Sequence, residues 1–380
     1  MKKFTLILAT VALLAAGCSK TEVVGPQNGK GINFAAYTAK TTKAPQIDVE
    51  TGNLSAFKVT AFGNGALYFD NVTFTKNAVS NVWESDTKYF WPAFPLTFYA
   101  YNTPTVYGTA TQATGFGFET DITSGNQILS VIPAAELAYQ QDLVAAYAAD
   151  KRASDAVNTN HSLSLTFNHY LTQVIVNATN ENSTYKVVVD SVKIANMAGE
   201  GTYTFSGNTM TATAETVNTL ASADYTATFD PKELTQTAQE VMTNAGTGKW
   251  YLIPQTVTSW NPSTDYPNTN PNHGTYLALK VKITANNGKL KIYPAKDEEV
   301  GWMAVPIPSS LKFEQGKRYT FTIHFFANNS AGYVDPEVPS ELDGDPSIKD
   351  NGKKIIGGEI KFDANVNEWD DQNNNIEIYL

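Results

Sequence analysis

The sequence contains one cysteine, Cys18, among 380 residues. A single thiol excludes a disulfide within the chain, so stability has to come from packed apolar cores. Charged residues are also scarce, at 17%. Two of the 27 basic side chains lie in residues 1–17, so the rest of the chain carries 25 basic against 37 acidic groups, a net charge near −12. This acidity argues against a nucleic-acid partner and against electrostatic binding to anionic lipid.

The chain also lacks an apolar run of the roughly 20 residues that a membrane-spanning helix needs. The short apolar run at 4–14 follows two lysines and precedes small residues at 15–17, directly before Cys18. That order is typical of an export signal, and small residues before a cysteine resemble the lipobox of bacterial lipoproteins. We therefore predict that residues 1–17 are a signal peptide and that Cys18 is acylated. The alternative is an ordinary secretory signal that ends near an unpaired cysteine.

Motifs for catalysis, cofactors and metals are missing from the sequence. No glycine-rich phosphate loop follows a strand, no paired-cysteine metal spacing exists, and the four histidines are scattered. We therefore expect no enzymatic activity, no cofactor and no metal site. Whether the acidic stretch at 335–350 binds calcium stays open. Its composition suits calcium, but its spacing does not match that of an EF-hand loop.

What the sequence does have is alternation of apolar and polar residues. It recurs in five segments, at 56–62, 96–101, 162–167, 276–283 and 318–325. Such alternation, with β-branched and aromatic residues, indicates half-buried strands. The segment "DLVAAYA" at 142–148 fits either a helix or a buried strand, and we favour the strand. The sequence therefore predicts an all-β protein built as antiparallel β-sandwiches.

The length favours two domains over a single core. The polar segment at 150–160 lacks an apolar period, which places an N-terminal domain over 18–155 and a C-terminal domain over 156–380. Two stretches rich in Asn, Pro, Ser, Asp and Gly, at 259–274 and 327–354, are predicted to be surface loops. Trp260 lies in the first of them, so we keep this tryptophan as a candidate for ligand stacking.

Five segments are informative in combination: "INFAAYTAKTTKA" at 32–44, "VWESDTKYFWPAFPLTFYAYNTP" at 82–104, "LSLTFNHYLTQVIVNATN" at 163–180, "VDSVKIANMAGEGTYTF" at 189–205 and "IKFDANVNEWDD" at 360–371. Together they resemble the fimbrillin family, the subunits of type V pili and their fimbrillin-like relatives in Gram-negative anaerobes. The resemblance implies two β-sandwich domains of transthyretin-like topology and no catalysis. It also implies an outer-membrane lipoprotein at the cell surface that assembles with other pilus subunits, of its own or a related kind, in cell adhesion.

The resemblance further implies assembly by strand exchange. In the family a protease cuts after the first strand, and a strand of the next subunit fills the vacated groove. Here that first strand would be residues 32–37, with Ile32 and Phe34 as apolar anchors. The family's cut commonly follows an arginine, but Lys40 and Lys43 lie at the expected place in this chain. Either a lysine-directed or broader protease cuts here, or the subunit stays uncut, which would suit an anchor.

The C-terminal tail is the predicted donor. After the polar break at 373–375, Ile376, Ile378 and Leu380 alternate with other residues and would line one face of a strand. The tail could equally be the last edge strand of its own C-terminal sandwich. A second functional hypothesis also stays open at this point, namely a surface lipoprotein that binds glycan in nutrient uptake. A host or glycan ligand is therefore one of the expected partners.

Overall fold

The computed structural model describes residues 29–38, 54–102, 115–121, 126–158, 160–206, 209–213, 222–243, 248–263, 274–285, 288–294, 300–308, 311–337, 352–357 and 361–368. These residues form β-strands and two short 3₁₀ helices, Leu137–Tyr139 and Ala153–Asp155. None of their helices is long and apolar enough to cross a membrane. The predicted all-β class is confirmed.

The first twelve strands are β1 Phe34–Thr38, β2 Ala56–Gly63, β3 Ala66–Lys76, β4 Trp83–Glu84, β5 Leu96–Asn102, β6 Gly115–Asp121, β7 Asn126–Ile132, β8 Val144–Lys151, β9 Leu163–His169, β10 Thr172–Asn180, β11 Tyr185–Ala198 and β12 Gly201–Ser206. The others are β13 Thr209–Thr213, β14 Ser222–Glu233, β15 Gln239–Glu240, β16 Trp250–Leu252, β17 Gln255–Thr256, β18 Tyr276–Ala285, β19 Leu290–Tyr293, β20 Gly301–Pro306, β21 Lys312–Phe313, β22 Lys317–Phe325, β23 Tyr333–Val334 and β24 Lys361–Glu368.

Seven strands close into a barrel in the order β1-β4-β3-β2-β5-β8-β9. The alternating residues Phe57, Val59 and Ala61 of β2 are fully buried in its interior, as their period of two predicts. The segment at 142–148 contains the start of β8, so the choice of a strand over a helix there is confirmed. The apolar residues that alternate in the first half of the sequence are therefore the ones that form the barrel core.

The later strands form two facing sheets. One has the order β15-β10-β22-β24 with β16 also on β10, and the other has the order β14-β11-β18-β20-β23 with β19 on β18. Val176 and Phe321 of the first sheet share a buried core with Val189 and Leu279 of the second. Most pairings are antiparallel, as predicted, but β1 pairs with β9 in parallel and β10 pairs with β22 in parallel. The sandwich is thus built around a parallel pair.

A third sheet contains strands from both halves of the chain. Its order is β13-β12-β7-β6, so β7 from the first half pairs with β12 from the second. Tyr99 and Tyr101 of the barrel pack in one cluster with Tyr203 of β12. Strand β9, which follows the predicted domain boundary at 155/156, pairs with β1 and β8 of the barrel. The boundary itself stays a prediction.

The prediction that 259–274 and 327–354 are surface loops is partly wrong. Trp260 is only 2% exposed and packs against Tyr276 and Tyr333, with ring centroids 5.4 and 5.7 Å away. In the second stretch, Val334 and Asp335 are fully buried, since β23 adds to the sheet beside β20. Polar composition suggested exposure, but the apolar residues within these stretches are covered by the sheet. Trp260 is therefore a core residue and not a stacking platform for a ligand.

Candidate functional site: the first strand of the barrel

The first strand lies in the barrel wall between β9 and β4. Strand β1 pairs in parallel with β9 over five residues, from Phe34 opposite Leu163 to Thr38 opposite Phe167. Its pairing with β4 is confined to Phe34 opposite Trp83. Most of the sheet pairing that holds β1 therefore comes from one neighbour, β9.

The residues just before β1 are held by a second segment, 89–91. The Ile32 amide donates to the Tyr89 carbonyl at 2.8 Å, and the Trp91 amide donates to the Lys30 carbonyl at 3.2 Å. The Tyr68 hydroxyl donates to the Phe90 carbonyl at 2.6 Å. Burial raises the pKa of Tyr68, so its hydroxyl stays protonated and keeps this role as donor. The start of the first strand is thus hydrogen-bonded independently of β9.

The side chains of the first strand fill the barrel interior. Ile32 and Phe34 are 1% and 0% exposed. The Phe34 ring meets the rings of Phe74 and Phe98 edge-on, at centroid distances of 4.7 and 5.3 Å. Such edge-to-face contacts add to the free energy of simple burial. Ala36, two residues further on, is also buried, so the buried face of the strand continues beyond Phe34.

Loss of β1 would leave β9 with little pairing. The other neighbour of β9 is β8, which pairs with it only at Asn168 and His169. The stretch from Leu163 to Phe167 would then have no strand partner among the described residues. Unpaired backbone groups beside an apolar groove are a template for another strand. The barrel can therefore present a groove for a strand, provided that β1 leaves.

The predicted site residues fall into two groups. Ile32 and Phe34 are described, and they lie at the entry and the start of the first strand, which runs over Phe34–Thr38 instead of the predicted 32–37. The other predicted residues lie outside the described residues; they are Cys18, Lys40, Lys43, Ile376, Ile378 and Leu380. The proposed roles of all of them stay predictions.

Sequence reasoning missed two parts of this site. Phe74 belongs to the ring cluster around Phe34, and the alternation in "VTFT" at 72–75 was a signal that could have identified it. The parallel partnership of β1 with β9 has no local signal, because its two strands are far apart in the sequence. Phe57 and Phe98 lie in two of the segments predicted to alternate between apolar and polar residues, and both are fully buried.

Comparison with known proteins gives a family and a fold. A family model described as fimbrillin-like matches residues 36–339. A fimbrial protein from Bacteroides vulgatus is 15% identical with a TM-score of 0.53, and the match covers 90% of this chain and 99% of that chain. A fimbrilin from Porphyromonas gingivalis is 10% identical with a TM-score of 0.44, covering 89% and 97%.

The fimbrial anchor protein Mfa2 from Porphyromonas gingivalis is 12% identical with a TM-score of 0.32, and the match covers 77% of this chain and 90% of that chain. No curated protein matches the chain significantly. At such identities the Bacteroides vulgatus structure supports the fold alone. The family model extends from the first strand of the barrel to just beyond β23, and by that match the chain belongs to the fimbrillin-like family.

Proposed function

We propose that the protein is a structural subunit of a cell-surface pilus that assembles by proteolysis-triggered strand exchange and serves adhesion, without being an enzyme. Membership of the fimbrillin-like family supports a pilus subunit. The observation that carries the exchange mechanism is the place of β1, which fills the barrel interior but pairs over most of its length with β9 alone.

The energetics of exchange follow from burial. Fully burying a side chain such as Ile32 or Phe34 stabilises the fold by about 1.5–3 kcal/mol relative to exposure. A barrel that loses the strand loses these contributions together with five residue pairs to β9. A second strand with apolar residues at alternating positions restores both, which drives addition of the next subunit. Cleavage makes the exchange irreversible, because the original strand is no longer attached.

The donor is proposed to be the C-terminal tail. Within the part of the chain that the structure describes, strand β24 is the edge strand beside β22, and it ends at Glu368. The tail that follows, with Ile376, Ile378 and Leu380, has the alternation that the groove requires. We propose that this tail pairs with a neighbouring subunit instead of with its own sheet.

The proposal includes the route to the surface. Acylated Cys18 anchors the subunit precursor in the outer membrane, and cleavage near Lys40 or Lys43 removes lipid and first strand together. The partners are other pilus subunits, of the same or a related kind. The adhesive contact with a host or glycan ligand is made by the assembled pilus.

Limited proteolysis tests the proposal. The purified chain is treated with trypsin, the cut is located by N-terminal sequencing, and polymers are sought by size-exclusion chromatography and electron microscopy. We expect a first cut after Lys40 or Lys43, followed by polymers. The matched control, Lys40→Ala with Lys43→Ala, should stay monomeric under the same treatment. Complete cleavage at these lysines with no polymer at any concentration would contradict the proposal.

A further inference from the structure

The second sheet of the sandwich, β14-β11-β18-β20-β23, carries a buried amine and a buried carboxyl group, those of Lys193 and Asp335. Both lie on the face that points away from the first sheet. Lys193 lies on β11, and Asp335 directly follows β23, with β18 and β20 between them. Opposite Lys193 is Ala278 of β18, and opposite Ala278 is Ala304 of β20. Two alanines in this row leave space for the lysine stem to lie across the sheet. The register therefore directs the amine towards Asp335.

The two groups are in contact and shielded from water. Lys193 Nζ lies 3.0 Å from Asp335 Oδ2, and the side chains are 6% and 0% exposed. The same nitrogen lies 5.4 Å from the ring centroid of Tyr276 and 5.3 Å from that of Trp302. The amine and the carboxyl group therefore face each other in a site that excludes water. An amine attacks a carboxyl carbon through its lone pair, so transfer of one proton from Nζ to Oδ2 would prepare both groups for reaction.

The second oxygen of Asp335 is held by two donors. Oδ1 accepts a hydrogen bond from the Tyr276 hydroxyl at 3.1 Å and another from the Glu337 amide at 2.8 Å. Two donors on one carboxyl oxygen stabilise the negative charge that develops there when a nucleophile attacks the carbon. Oδ2, the oxygen that faces the amine, accepts neither of these hydrogen bonds and can therefore act as the leaving group.

A second carboxyl group, that of Asp224, is placed to move protons. Asp224 Oδ2 lies 3.9 Å from Lys193 Nζ, and Asp224 Oδ1 accepts a hydrogen bond from the Asn196 amide at 3.1 Å. Burial raises the pKa of Asp224 above its ordinary value. A carboxylate with a raised pKa accepts a proton more readily and can return it later in the reaction.

We propose that Lys193 and Asp335 form an intramolecular amide bond between Nζ and Cγ, so that the protein cross-links itself. After the proton transfer within the pair, the lone pair on Nζ attacks Cγ and the carbonyl electrons move onto Oδ1. Asp224 takes a proton from the nitrogen and gives it to the hydroxyl at Oδ2. This oxygen leaves as water when the carbonyl re-forms. The ammonium and carboxylate become one amide and one water, and Asp224 is regenerated, so no other reactant is needed.

The cross-link would tie β11 to the segment that follows β22. Strand β22 belongs to the first sheet, β23 pairs with β20 in the second, and β24 belongs to the first sheet again. A covalent bond at Asp335 would keep this segment on the sheet when force acts on the C-terminal strand. This inference is independent of the proposed strand exchange.

An internal control is available in Lys186 and Glu233. Lys186 Nζ lies 2.5 Å from Glu233 Oε2, but the side chains are 48% and 57% exposed. This exposed pair therefore lacks the exclusion of water that the proposed reaction requires. Proximity alone would predict a bond at this second pair as well, whereas the proposed chemistry confines the reaction to the buried pair.

Mass spectrometry tests the proposal on the full chain carrying Cys18→Ala, which excludes lipid from the mass. We expect an intact mass lower than the sequence requires by one water. A tryptic digest should lack cleavage after Lys193 and contain a branched peptide that joins 187–232 to 319–349, with normal cleavage after Lys186. Lys193→Arg and Asp224→Asn should each restore the mass that their sequences require. An unmodified intact mass, or a water loss that maps to other residues, would overturn the proposal.

Discussion

Phe34 of the first strand and Phe74 of β3 meet edge-on inside the barrel, with ring centroids 4.7 Å apart and an interplanar angle of 77°. Phe98 and Phe57 complete the cluster around the same ring. One strand that the proposed cleavage would remove therefore supplies the central ring of the barrel core. This arrangement connects the stability of the closed subunit to the proposed assembly step.

Replacement of this ring should destabilise the uncleaved subunit. Because Phe34 is fully buried, Phe34→Ala should lower the free energy of unfolding by about 3–5 kcal/mol. Urea unfolding monitored by tryptophan fluorescence measures the change. The matched control is Val79→Ala, which should change the free energy by less than about 0.5 kcal/mol because Val79 is 93% exposed. Equal effects of the two substitutions would contradict this assignment of the core.

Alkaline pH should destabilise the protein by ionising buried tyrosines that lie between the barrel and the sheet β13-β12-β7-β6. Burial raises the pKa of Tyr99, Tyr101 and Tyr170 from 10.0 to about 12. These phenols stay protonated in the folded state and ionise earlier in the unfolded state. Their contribution is therefore fully present below pH 10 and is lost as the pH rises from 10 through about 12.

Denaturant unfolding at a series of pH values, together with tyrosinate absorbance, measures this loss. The variant Tyr101→Phe should show a smaller loss of stability between about pH 10 and pH 12, because its ring has no proton to release. A stability that rises over this interval, or a variant with the same alkaline loss as the parent chain, would contradict the assignment.

Deletion of residues 376–380 should separate the two interpretations of the tail. If the tail is a donor, the truncated subunit keeps its melting temperature but cannot add to a protease-opened partner, because the alternating apolar residues are gone. Calorimetry and polymerisation assays on mixtures of truncated and full-length protein give the two readouts. A substantial drop in melting temperature with polymerisation unchanged would show that the tail is a core strand of its own domain.

The local parts of the fold could be predicted from the sequence, whereas pairings over long separations could not. Leu163, Leu165 and Phe167 alternate with polar residues, and this period alone placed β9 and its buried face. The parallel pairing of β9 with β1 depends on closure of the barrel, and no pattern in the sequence of either strand indicates it. For the same reason, contacts between distant strands had to come from the structure.

The errors have a physical cause as well. Trp260 was assigned to an exposed loop because its neighbours are polar, but a loop composition does not report what covers a single large ring. Asp335 lies in an acidic, proline-containing stretch whose composition suggests an exposed loop and a possible calcium site. Its full burial beside Lys193 follows from β23 joining the sheet, which no local pattern indicates.

A reversible lock on the first strand tests the central claim most directly. Ala35 of β1 lies opposite Ser164 of β9, so cysteines at both positions are placed for a disulfide between the two strands. The chain carrying Cys18→Ala, Ala35→Cys and Ser164→Cys is cut with trypsin, and polymerisation is followed with and without reductant. Ala35→Cys alone serves as the matched control.

We expect that the oxidised, cleaved protein stays monomeric because its first strand cannot leave, and that the reductant starts polymerisation of the same sample. The single-cysteine control should polymerise in both conditions. Polymerisation of the oxidised double-cysteine protein at the rate of the reduced one would contradict the claim that β1 must leave the barrel before another subunit can join.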